Sequence, residues 1–349
     1  MPTREIRRDG GRVFIEGAPR VTWDTGQMCE FASCLVSALD CLGQTVPYHD
    51  VMAACGAAFR FTLSPDHWNP GNYSVDSITT DPRAPTDRAF RMVGRPYTWV
   101  QCGDAKRDAA SITESIDRGV PVIASGVVGP ADYSLITGYD CGGEVLMGWS
   151  TYQDIPVDHN EPADESGYFR KSQWHANTRG FILIGEAVAP PPRREMILDT
   201  LRWAVELVRY PRADDWVRGL EGYDALVDDL LDDSLYPPGD METLGFRYLC
   251  LLCDMMMVDD RRAAIPFLHQ VASDEPDMAG EALAAASCYE STAAARDEAR
   301  SVLPEDFSEA TTRSVADRTT RLAYADAIRR IRDADLRAIE HIERCCGVP

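Results

Sequence analysis

Only two lysines occur in this chain, Lys106 and Lys171, and the formal net charge is −21. The arginine pairs at 7–8, 193–194, 261–262 and 329–330 are isolated. No basic stripe exists to neutralise a run of phosphates, which excludes nucleic acid as a partner. The same acidity opposes binding to anionic membrane surfaces, and no apolar run approaches the ~20 residues of a membrane span. Met1–Gly11 is polar and lacks the apolar segment of a secretory signal. A cytoplasmic location is therefore expected, with the eleven cysteines reduced and mostly packed as small hydrophobes. A phosphate-binding glycine loop and a dinucleotide fingerprint are also missing. Cys250-Leu-Leu-Cys253 has no companion pair with which to hold a structural zinc. No cofactor and no metal are expected.

What is present divides in two. At 349 residues the chain exceeds one typical core. Composition changes at Ala189-Pro-Pro-Pro-Arg193, a stiff extended spacer that neither helix nor central strand tolerates. The expected domains are 1–188, mixed in character, and 194–349, wholly helical, joined by a linker at 189–193. In the first, strands at 12–16 and 20–23 precede an apolar helix at 29–42. A helix at 48–55, a strand near 59–63, a helix at 104–118 and strands at 120–127, 133–139, 144–149 and 180–184 follow. Helices leading into antiparallel strands imply an α+β fold. In the second, apolar residues recur at helical spacing over 196–209, 216–231, 242–257, 263–273, 278–302 and 313–345. Asp214 and Asp240 stand where N-caps belong. Trp203, Trp216, Tyr223, Phe246, Tyr248, Phe267 and Tyr289 fall on core stripes, and the methionines at 255–257 suit core filling or, less commonly, the lining of a plastic binding groove. The small residues at 282–295 suit close helix packing or the face of a homodimer.

The chemistry centres on two segments. Cys29 opens the helix at 29–42, where the positive end of the helix dipole favours a thiolate. Pro130–Trp149 reads as a hairpin, two strands around Asp140-Cys-Gly-Gly143 with glycines for the positive φ angles.

These segments resemble papain-like cysteine peptidases of the double-glycine, bacteriocin-processing type. They are closer still to the N-terminal domain of the butirosin-biosynthesis acyltransferase family. Gln27-Met-Cys-Glu-Phe-Ala-Ser33 is similar to the Gln-x-Cys-Gly-x-Ala start of the peptidases. Cys29-Glu30, Leu42-Gly43 and Cys55-Gly-Ala-Ala-Phe-Arg-Phe61 resemble the acyltransferase pattern, and Arg118-Gly-Val-Pro-Val-Ile-Ala124 the approach to the central strands. The resemblance implies a papain-like domain, a buried N-terminal helix against an antiparallel sheet, with Cys29 as nucleophile. The chain departs from the pattern at three places. Asp132 occupies the histidine position of the hairpin phrase, and Trp23 that of the oxyanion-hole glutamine, with Gln27 nearer the cysteine. The orienting Asp or Asn falls at Trp149-Ser150.

Two readings follow, with a third behind them. In one, Cys29, Gln27 and Asp132 carry out thiol-dependent acyl or amide transfer or hydrolysis. There a carboxylate serves as base only if burial raises its pKa. In the other, the domain is a catalytically degenerate binder of a small molecule or peptide, its cleft lined by Trp23, His67, Trp68, Tyr133 and Trp149. The third makes the helical domain a regulatory or interaction module. His159, in the acidic loop 154–165, is expected to sit in solvent.

Overall fold

A computed structural model describes residues 4–154, 163, 165–209 and 214–347; most of the acidic loop and His159 lie outside these. The chain is mixed α+β, with an antiparallel sheet and a helical C-terminal region. It forms two compact units, one of residues 1–51 and 90–190, the other of 52–89 and 191–349. The third break, between residues 190 and 191, falls within the proline run. The first pair of breaks does not follow any composition change, so 52–89 leaves the mixed unit to which the sequence reading assigned it.

In chain order the elements begin with β1 (Ile6–Asp9), β2 (Arg12–Ile15), α1 (Glu30–Cys41), α2 (Tyr48–Ala54), β3 (Thr62–Leu63), α3 (Ala84–Met92) and β4 (Tyr97–Gln101). They continue with α4 (Ala105–Asp117), β5 (Val122–Ser125), β6 (Tyr133–Asp140), β7 (Val145–Trp149), β8 (Phe169–Ser172) and β9 (Gly180–Ile184). The C-terminal part holds α5 (Arg193–Val208), β10 (Val217–Arg218), α6 (Leu220–Leu231), α7 (Met241–Asp259), α8 (Arg261–Asp274), α9 (Ala279–Val302), α10 (Glu309–Ser314) and α11 (Arg318–Cys345).

The first unit is built on an eight-stranded antiparallel sheet ordered β1-β2-β6-β5-β9-β4, with β7 paired to β6 and β8 to β7. Strand β6 is buried along almost its whole length, as a strand covered on both faces must be. Helix α1 packs on β5 and β6, and α4 on β2, β5 and β6. The hairpin forms at Asp140–Val145, with Cys141, Gly142 and Gly143 all at positive φ. Its two strands shift register between Ile136 and Gly138. Residues 20–23 do not form the expected strand; β2 pairs instead with β1, and Trp23 opens a short 3-10 turn capped by Thr22. Strands β4 and β8 and helix α3 lie outside the elements expected from the sequence.

The second unit is a helical assembly in which α9 packs against α8 and α11, and α11 also against α5 and α6. Segment 52–89 is tied into it by buried polar bonds. Arg60 pairs with Asp260 at 2.6 Å, and Asn72 donates to Asp254 at 3.1 Å. Strand β3 pairs with β10, and the Arg261 guanidinium donates to the Arg60 carbonyl at 2.8 Å. Asp240 caps α7 as expected, whereas α6 starts after Gly219, and Asp214 instead pairs with Arg218 at 2.6 Å. Most of the aromatic stripe is buried, but Phe246 is exposed and Trp216 half-buried. Of the small residues of α9, Ala282, Ala285, Ala286 and Ala293 are buried within the unit, whereas Ser287, Ser291 and Ala294 are exposed.

Candidate functional site

The apolar sequence Phe31-Ala-Ser-Cys-Leu35 forces α1 inside, so its first turn begins in the interior. Cys29 is the N-cap, only 4% exposed, and its backbone N–H donates to the Tyr48 hydroxyl at 3.1 Å. Strand β6 starts beside this helix end: Phe31 and Tyr133 meet edge to face, ring centroids 5.3 Å apart. Asp132, which precedes β6, is thereby brought to Glu30, the residue after Cys29. The two side chains are hydrogen-bonded to each other, and both are buried, Glu30 at 2% and Asp132 at 7% exposure.

Other bonds pin this carboxyl pair. The Trp23 indole N–H donates to Glu30 Oε1 at 2.9 Å, and the Tyr133 N–H donates to Asp132 Oδ1 at 2.8 Å. The Asp132 carbonyl accepts from the Gly126 N–H at 2.8 Å. Burial pushes the Glu30 carboxyl well above the usual carboxylate range, and the charge and hydrogen bond of Asp132 push it further; the Trp23 bond acts the other way. Two carboxyl groups in contact and out of water cannot both ionise cheaply, so the pair retains a proton where isolated acids have lost theirs. The buried Cys34 thiol, one turn beyond Glu30, is likewise pushed well up by burial and then by Glu30 and Asp132.

The structure thus brings together Cys29, Trp23, Asp132 and Tyr133. Gln27 adjoins them through its backbone, its carbonyl accepting from Ser33 Oγ at 3.4 Å. Trp149 is packed elsewhere in the same unit: its indole N–H donates to the Ala18 carbonyl at 2.9 Å, and its ring meets Tyr168 edge to face. It helps line a cavity of 310 Å³ with Phe14, Arg7, Arg12, Glu16 and Tyr168. His67 and Trp68 belong to the second unit. His67 Nδ1 lies 2.8 Å from Asp229 Oδ2, and Trp68 packs against Tyr236 and under the Arg247 guanidinium. Cys250 and the Met255 and Met257 side chains are core.

Glu30 and Tyr48 are not singled out by the sequence as functional residues. Glu30 had a signal, since an acid in the first turn of an otherwise apolar, buried helix needs a partner. Tyr48 had none, because only the tertiary fold carries its hydroxyl to the Cys29 N–H. No protein-family model matches the chain, and a search of curated proteins finds no match.

Proposed function

We propose that the first unit is a papain-like scaffold that has given up thiolate chemistry and binds a small molecule or peptide. The observation that supports this is the bonding at the start of α1. Acyl transfer by a thiol needs a base for its proton and free donors for the developing oxyanion. Here the Cys29 N–H is engaged by Tyr48, and the Trp23 N–H by Glu30. The residue in the base position, Asp132, is joined to a second acid instead. A carboxyl pair that holds a proton and a residual negative charge opposes thiolate formation next to it. The polar cavity beside Trp149 offers both arginine and carboxylate groups and suits a small ligand that carries charges of both signs.

The test is labelling by iodoacetamide as a function of pH. A degenerate site alkylates Cys29 slowly, and only as pH nears the free-thiol value of about 8.5. Selective rapid labelling of Cys29 at lower pH overturns the proposal. Amino acids and dipeptides, tried as ligands, should raise the melting temperature, and Trp149→Ala should remove that response.

The raised carboxyl at Glu30 favours a second reading. A base whose pKa has moved toward that of a thiol is better matched for general-base attack. In that reading Cys29 transfers an acyl group with the Glu30–Asp132 pair as proton acceptor, and Asp132→Asn suppresses both labelling and turnover of an acyl thioester.

A further inference from the structure

We propose that Cys102, Asp108 and His175 form a binding site for a zinc-class divalent ion in the first unit. Their donor atoms, a thiol sulfur, a carboxylate oxygen and an imidazole nitrogen, all lie within 4.8 Å of one another, a grouping of three found here among the described residues. The three residues come from separate parts of the unit. Cys102 directly follows β4, Asp108 lies in the first turns of α4, and His175 sits in a short 3-10 turn between β8 and β9.

The donor set suits zinc. Sulfur at about 2.3 Å and nitrogen or oxygen at about 2.0–2.2 Å from one ion put the donors roughly 3–4 Å apart. His175 Nε2 and Asp108 Oδ2 are already 2.9 Å apart. The residues are also held for the purpose. Asp108 is completely buried, and its Oδ2 accepts from the Gly103 N–H at 2.8 Å, a bond that orients the carboxylate. Its other oxygen faces the Arg107 guanidinium at 3.2 Å, which leaves Oδ2 as the donor toward His175. Gln173, at φ 51°, turns the chain in the left-handed region just before His175. The Trp174 indole N–H anchors that turn by donating to the Gly143 carbonyl at 2.9 Å.

Ion binding replaces the His175–Asp108 hydrogen bond by two metal bonds, with the imidazole proton moving from Nε2 to Nδ1, and expels the Cys102 thiol proton to solvent. Three protein donors leave a fourth position for water or a ligand atom, as in catalytic rather than structural zinc sites. His175 also lines a cavity of 500 Å³ together with Lys106, Thr113, Cys141 and Trp174. That cavity gives small molecules an approach to the histidine side of the site. None of these residues takes part in the bonding around Cys29, so the two proposals stand or fall separately.

The experiment is titration of the full-length, chelator-stripped protein with Co(II), followed by competition with Zn(II). The expected result is one equivalent bound, with a sulfur-to-cobalt charge-transfer band and the visible spectrum of a four-coordinate ion. Cys102→Ser should abolish the band and His175→Ala should remove stoichiometric binding, while Cys253→Ser leaves both intact. No Co(II) binding by the native chain, or a band that survives Cys102→Ser or His175→Ala, overturns the proposal. If either variant fails to fold by circular dichroism, zinc protection of Cys102 in the native chain decides. Alkylation of Cys102, mapped by mass spectrometry, should slow at least tenfold with one equivalent of Zn(II), and an unchanged rate refutes the site.

Discussion

Glu30 and Asp132 are hydrogen-bonded across the junction of α1 and β6, both removed from water. One follows the helix cap Cys29, and the other precedes the strand on which that helix packs. The bond joins two points 102 positions apart in sequence, and it makes the start of α1 acidic where a thiol nucleophile needs a cation or a free base.

The pair makes folding depend on pH in a defined sense. Glu30 is raised in the native state by burial and then by Asp132, whereas in the unfolded chain it titrates near about 4.3. The native protein therefore holds more protons than the unfolded one above that pH, and stability declines as pH rises toward the native pKa. Glu30→Gln keeps an acceptor for the Trp23 N–H and cannot ionise. The variant should match the wild type near pH 4. Its advantage should then grow by about 1.4 kcal/mol for each pH unit up to the native pKa. Urea unfolding of both proteins at several pH values checks this, and a pH-independent difference refutes the raised carboxyl.

Thiol exposure offers a second check on the fold. Cys141 lies exposed on the hairpin turn, while Cys34, Cys41, Cys55 and Cys250 are fully buried. In the native protein iodoacetamide should reach Cys141 first, even though Asp140 raises its pKa. The four buried thiols should react only after unfolding. Mass-spectrometric mapping reads the order directly, and native labelling of Cys34 at a rate near that of Cys141 contradicts the burial of α1.

Two hairpin glycines should respond differently to alanine. A Cβ at Gly148 meets the Leu135 carbonyl oxygen at 1.9 Å, inside the β6–β7 ladder. Gly148→Ala should therefore cost more than the about 1–3 kcal/mol of ordinary overpacking and impair folding of the first unit. At Gly142 nothing lies within 4 Å, but φ is +65°. Gly142→Ala should cost only the about 1–2 kcal/mol of left-handed backbone. Melting temperatures that rank the two the other way refute the register.

In the second unit, the buried Arg60–Asp260 pair should show the asymmetry of interior ion pairs. Asp260→Ala strands a guanidinium that is 2% exposed and should cost about 3–5 kcal/mol. The double variant Arg60→Met with Asp260→Leu should lose less, because neither charge remains to be desolvated. Urea unfolding, with hydrogen exchange at residues 57–63 as a local readout, distinguishes them. A double variant as damaged as the single one contradicts the reading.

Much of the fold was legible because period and punctuation are local properties. The all-apolar run at 31–39 announced a buried helix, the Gly142-Gly143 turn announced the hairpin, and Asp240 announced the start of α7. Elements without a strong period, such as β4 and β8, gave no such signal. The site was half legible. Cys29 and Asp132 could be singled out and Glu30 could not be given its role, because the partner of a buried acid is a three-dimensional fact. Cys102, Asp108 and His175 have no recognisable ligand spacing, since they come from three segments that only the sheet gathers.

By itself, then, the sequence determined a net negative charge, an α+β region and a helical C-terminal region. These rest on composition and on side-chain periodicity, which act over a few residues. The tertiary structure decided that 52–89 joins the helical unit, since the buried Arg60–Asp260 and Asn72–Asp254 bonds need groups from distant helices to satisfy them. It also decided that Asp132 meets an acid. Burial makes that contact consequential, because out of water each carboxyl sets the charge of the other.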